Sequence, residues 1–172
     1  VIVTINAVNS SPKTTAVSIA LNEGAATTYD LATNSSDTDT NVANLTYTLV
    51  AVPSNGAITD PNNSNAAVSA GGQLSGSTIT YTHNGGETTS DSFTYKVNDG
   101  NSDSNTSTST IAVTAVNDVP TIDASATIAV DEKDQVDITI LGTDVDSSSL
   151  TYVVVSTPSV SYTHLTLPTI GE

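Results

Sequence analysis

Apolar residues recur at every second position through a series of short runs. Leu45, Tyr47 and Leu49 lie on one side, as do Ile79 and Tyr81, then Phe93, Tyr95 and Val97, then Ile111 and Val113. The residues between them are mostly Thr, Lys or Asn. A two-residue period marks an extended strand with one face buried. Turn chemistry separates the runs at Ser54-Asn-Gly56, Asp60-Pro-Asn-Asn63, Gly71-Gly72, Asn84-Gly-Gly86 and Asn98-Asp-Gly100, where Gly tolerates positive φ and Asn or Asp bonds its own backbone. Strands are predicted near 16–21, 26–31, 44–52, 56–59, 77–82, 92–98 and 107–116. About seven strands at this spacing predict an all-β, immunoglobulin-like β-sandwich. Tyr95, two residues before Val97, stands where a tyrosine corner would place its ring.

The pattern then repeats. Val3-Thr-Ile-Asn-Ala-Val-Asn9-Ser-Ser-Pro12 aligns with Ile111-Ala-Val-Thr-Ala-Val-Asn117-Asp-Val-Pro120, and Leu21-Asn-Glu23 with Val130-Asp-Glu132. Asp37-Thr-Asp39 aligns with Asp144-Val-Asp146, and Leu45-Thr-Tyr47 with Leu150-Thr-Tyr152, all at an offset of 105 to 109 residues. A period of about 100 residues is one whole sandwich in a tandem array. Residues 1–8 are expected to be the last strand of a preceding repeat, 9–116 a complete repeat and 117–159 the start of the next. The parallel stops at Ser159, and Val160-Ser-Tyr-Thr-His-Leu-Thr-Leu-Pro-Thr169 resembles a translated sequencing-adapter read-through. Residues 160–172 are therefore read as a non-native tail.

Composition narrows the function. The 172 residues carry a net charge of −15, with 18 acidic side chains against 3 basic ones, and no cysteine. Binding a phosphate backbone needs clustered Lys or Arg, so nucleic acid is not an expected partner. Disulfide scaffolds, thiol nucleophiles and Cys-ligated zinc are excluded. About a third of the chain is Val, Ile or Thr, which favours strands over a disordered acidic tail or a helix bundle. No apolar run approaches the roughly 18 to 20 residues that cross a bilayer, so membrane insertion is not expected.

Four ordered motifs within one period carry a family resemblance. They are Asn117-Asp-Val-Pro120, Val130-Asp-Glu132, Thr143-Asp-Val-Asp146 leading into Leu150-Thr-Tyr152, and Asp91-Ser-Phe-Thr-Tyr-Lys-Val-Asn-Asp-Gly100. Over residues 1 to 159 the chain resembles the cadherin-like tandem repeats of large bacterial surface adhesins. The resemblance implies Ca²⁺ between successive domains. One domain would supply Glu23, the linker Asn117 and Asp118, and the following repeat Asp144 and Asp146. Asp99 is a further candidate from the first domain. The preceding junction is thinner, because Ser10 stands where Asp118 stands, leaving Asn9, Asp37 and Asp39. Ala115 also replaces an Asp of the cadherin linker.

The chemistry suits the metal, since Ca²⁺ takes six to eight oxygen ligands from carboxylates, Asn and carbonyls. Each acid taken singly also reads as ordinary turn chemistry. Asp37 begins an EF-hand-like string, but Val42 and Thr48 stand where Gly and Glu are required. His83, with Ser90 and Asp91 nearby, lacks a nucleophile-elbow pattern and reads as a surface-turn histidine, so no enzyme is expected. The expected function is a calcium-stiffened extracellular spacer of a cell-surface or secreted adhesin, acting in cell adhesion and biofilm. Its partners would be neighbouring repeats of the same chain and a cell-surface or matrix ligand of the whole adhesin. The alternatives are a carbohydrate- or protein-binding module using the 60–75 loop, or an accessory domain of an extracellular hydrolase.

Overall fold

A computed structural model describes residues 8–122, 129–131 and 134–156. The strand expected over 1–8, apart from Val8, together with Glu132 and the 160–172 tail, lies outside the described residues. The chain divides into two compact units, Val1–Val116 and Asn117–Glu172.

The described residues of unit 1 form ten strands: β1 Lys13–Thr14, β2 Ser18–Asn22, β3 Ala26–Asp30, β4 Ser35–Ser36, β5 Thr46–Ala51, β6 Gly56–Asp60, β7 Ala66–Ala67, β8 Thr78–His83, β9 Ser90–Asn98 and β10 Ser107–Thr114. The described residues contain no α-helix, only short 3₁₀ turns. One sheet runs β2-β10-β9-β5 and the other β3-β8-β6-β7, with β1 and β4 paired separately. The alternation seen in sequence becomes the core. Leu49, Tyr95 and Val97 from one sheet meet Ile79 and Tyr81 from the other, all five fully buried. Two sheets packed through their apolar faces form the predicted sandwich. An inward apolar side chain of this size is worth about 1.5 to 3 kcal/mol when fully buried.

The element that joins the two sheets is the segment before β2. Asn105 brackets Thr14 with its side-chain amide, Oδ1 accepting from Thr14 N and Nδ2 donating to Thr14 O, each at 3.0 Å. Asn34 holds the next residues in the same way, its Nδ2 donating to Ala16 O at 3.0 Å and its carbonyl accepting from Thr15 N at 2.9 Å. The hydroxyl of Tyr95 donates to Thr15 O at 2.9 Å. A tyrosine corner would instead bond the backbone a few residues upstream, so this expectation is corrected: Tyr95 reaches 80 residues back. Burial forces the choice, because a hydroxyl under the core must find a carbonyl, and the crossing segment is the backbone within reach.

The 60–75 stretch is also not the free loop that was expected. Asp60 is only 2% exposed; its Oδ1 accepts from Asn62 N at 2.9 Å and its Oδ2 from Ser75 N at 2.6 Å. This closes the stretch at its base. Residues 71–74 then lie along β5, with Gly71 N donating to Leu49 O (2.7 Å) and Leu74 N to Tyr47 O (2.9 Å). The free edge of β5 is thereby covered, a common defence against edge-to-edge pairing.

In unit 2, β11 Thr121–Ile122 pairs antiparallel with β12 Gly142–Thr143. The register Thr121↔Thr143 repeats Lys13↔Ser36 of unit 1. Gly142 N donates to the Tyr152 hydroxyl at 3.0 Å. Ile138 and Leu141 are more than half exposed.

Candidate metal sites at the domain ends

Strand direction decides which acids meet. β9 and β10 are antiparallel, with Ala112 opposite Ser90 and Ser107 opposite Tyr95. β2 runs parallel to β10, with Thr114 opposite Asn22. The end of β2, the end of β10 and the start of β9 therefore share one end of the sandwich. The nine-residue β9, at about 3.3 Å per residue, carries Asp99 to the other end.

At that other end the chain enters the domain. Asn9 Nδ2 donates to Asp99 Oδ2 at 2.9 Å, and Ser10 N donates to Asp39 Oδ2 at 2.5 Å. The Asp37-Thr-Asp39 turn is self-bonded, Asp37 Oδ1 accepting from the amides of Asp39 and Thr40, each at 2.7 Å. The second oxygen, Asp37 Oδ2, is the one buried side-chain polar atom without a hydrogen-bond partner among the described residues. A buried carboxylate oxygen without a partner costs free energy unless a cation or donor faces it. Asp99 Oδ1 accepts from Asn101 N and Ser102 N, each at 2.7 Å. The amide of Ser102, the side chain of Asn9 and the amide of Asn101 hold the Asp99 carboxyl down at a pKa of about 2. It is ionised at any pH where Ca²⁺ would be bound.

Asp99 was expected to serve the same junction as Glu23. It does not: the two lie at opposite ends of unit 1, and Asp99 joins Asn9. Glu23 follows β2, where its Oε2 accepts from Val116 N at 3.3 Å. Its carboxylate comes within 4.8 Å of that of Glu87. Glu87 was missed by sequence reasoning, because a lone Glu in the loop between β8 and β9 has no counterpart in the repeat motifs.

His83 positions both of these acids and is not a surface residue. It is 3% exposed. Its Nδ1 accepts from Gly24 N (3.3 Å) and Gly85 N (3.2 Å), and its Nε2 meets Thr88 Oγ1 at 2.9 Å. With Nδ1 accepting twice, the proton sits on Nε2 and points to Thr88. Gly24 and Gly85 have φ of +66° and +77°, which Gly adopts without strain. Both ring nitrogens are thus committed to the turns that carry Glu23 and Glu87.

Unit 2 repeats the local arrangement at Asn9 to Asp39. Asp144 Oδ1 accepts from Asp146 N (2.9 Å) and Ser147 N (2.7 Å), and Asp118 N donates to Asp146 Oδ2. Asn117 Nδ2 donates to Asp118 O at 2.6 Å, as Asn9 Nδ2 does to Ser10 O at 3.1 Å. Asp118, Asp144 and Asp146 are brought together within this unit, with Asn117 beside them.

These oxygen-only groupings suit a hard divalent cation such as Ca²⁺. Asn9, Asp37 and Asp39 would hold it at the end of unit 1 where the chain enters, with Asp99 bonded to Asn9. No curated protein and no solved structure matches the chain. A family model for cadherin-like domains matches residues 15–114, more than half of the sequence, and the chain belongs to that cadherin-like family.

Proposed function

We propose that this chain is a calcium-stiffened spacer repeat of an extracellular bacterial adhesin, holding a binding domain away from the cell. Membership of the cadherin-like family supports the coarser reading, an adhesion-type extracellular repeat. One observation carries the calcium part. Asp37 Oδ2 is buried without a partner among the described residues, in a self-bonded Asp-x-Asp turn whose second acid grips the incoming linker. A cation there would complete the coordination of Asp37 and offset repulsion between Asp37 and Asp39. At an effective dielectric between surface and water, such repulsion is about 1 to 4 kcal/mol for a close pair. The same grip by Asp146 on Asp118 gives each linker the same local anchor. The 60–75 stretch carries no aromatic side chain and is folded against β5, which disfavours a sugar-binding platform.

Small-angle scattering tests the reading on this sequence joined to a complete following repeat. The expected result is a longer maximum dimension and a higher melting midpoint in calcium than in chelator. Superimposable profiles and equal midpoints would remove calcium stiffening. The expected affinity lies in the weak extracellular range, on the order of 0.1 to 1 mM.

A further inference from the structure

A spacer in an adhesin carries tension, and the fold of unit 1 specifies how that tension is met. The chain enters at Asn9, beside Asp99, and β10 leads to Val116 at the opposite end, beside Glu23. The first long strand and the last one, β2 and β10, are direct neighbours and parallel, in register from Thr110↔Ser18 to Thr114↔Asn22. Two further bonds extend the ladder, Thr110 N to Val17 O and Glu23 N to Thr114 O, both at 2.9 Å. A pull on the two chain ends drags β2 toward the Asn9 end and β10 toward the Val116 end. The strands slide along their common axis, and evenly spaced parallel hydrogen bonds bear the load together.

We infer that the β2–β10 pair is a shear clamp that makes unit 1 a load-bearing element under end-to-end tension. The clamp has a guard upstream. Before force reaches β2 it meets Thr14, bracketed by the Asn105 amide, and Thr15, whose carbonyl accepts from Tyr95. Asn105 immediately precedes β10 by two residues, so the bracket ties the incoming chain to the same strand that receives the opposing pull. Inward from the ladder, Ile19, Ile111 and Val113 are buried in the core, and sliding would drag them past their neighbours. Resistance to force is set by the unfolding barrier, not by equilibrium stability, so the geometry of the first rupture is what counts.

This function deepens the spacer reading and rests on it, but the clamp belongs to unit 1 alone and is measured without reference to calcium stiffening. The test is single-molecule pulling on the full chain, which has no native cysteine and so accepts two unique handles. In the first geometry Val8→Cys and Val116→Cys load the clamp in shear. In the second, Asn22→Cys and Val116→Cys pull the adjacent ends of β2 and β10 apart and peel the bonds singly. Val8, Asn22 and Val116 are exposed, so the handles do not disturb the core. The shear geometry is expected to rupture at several-fold higher force, in one step that releases the whole of unit 1. Asn105→Ala in the shear geometry is expected to lower that force or add an early, weaker step. Equal rupture forces in the two geometries would overturn the clamp, whatever calcium does in scattering. Release of β2 at low force ahead of the main rupture would overturn it as well.

Discussion

Asn9 donates its side-chain amide to the carboxylate of Asp99 at 2.9 Å, joining the segment that enters the domain to the turn that closes β9. The contact spans 90 residues. It ties the acid that follows β9 to the linker, whose next residue, Ser10, is held by Asp39 of the Asp-x-Asp turn at 37–39, the turn whose Asp37 Oδ2 lacks a partner among the described residues.

Calcium should stabilise unit 1 through the Asn9 end. At about ten to a hundred times its dissociation constant the gain is about 1.4 to 2.7 kcal/mol. Asp37→Asn and Asp99→Asn should each remove most of the difference between melts in calcium and in chelator. Asp60→Asn should lower both midpoints equally, because Asp60 is buried and both its carboxylate oxygens are already taken by the amides of Asn62 and Ser75. Equal loss of the calcium increment in all three variants, by calorimetry, would point to general charge screening.

Acid should destabilise the fold through carboxylates held below their ordinary value. Asp99 is held at a pKa of about 2 by its bonds from Ser102, Asn9 and Asn101. Burial pushes Asp91 up, but the amides of Ser54, Ser92 and Asn55 and the Tyr81 hydroxyl outweigh it and hold it down. A depressed folded pKa gives stability that is complete above the unfolded value, near 3.9, and is lost as pH falls through the folded value. Denaturant midpoints should therefore drop between about pH 4 and pH 2, and Asp91→Asn should flatten that slope. A midpoint independent of pH over this interval would refute the assignment.

Tyr95→Phe keeps the ring in the core and removes only the hydroxyl that donates to Thr15 O (2.9 Å) and Asn34 O (3.3 Å). The loss should be about 1 to 2 kcal/mol, read as a lower denaturant midpoint at unchanged m-value. Hydrogen exchange at Thr14 to Val17 should quicken more than in β8.

His83→Ala should cost more, about 2 to 5 kcal/mol, because it leaves the Gly24 and Gly85 amides without an acceptor and opens a cavity. Proteolysis near 84–88 is the local readout. A variant as stable and protease-resistant as the parent would show that those amides find other partners.

Side-chain alternation is a property of the extended backbone itself, so the inward rows through Tyr47, Tyr81, Tyr95 and Ile111 were legible from the order of residues alone. The repeated motifs likewise marked the Asp144-Val-Asp146 turn, because it bonds its own backbone within a few residues. What sequence order could not assign was which strand ends coincide. That depends on pairing between segments tens of residues apart, such as β2 with β10. Strand pairing sent Asp99 to the Asn9 end, brought Glu87 to Glu23, and buried His83 and Asp60 in places that read as surface turns. Periodicity records which face of a strand is dry, and only the completed sheets determine what stands at its two ends.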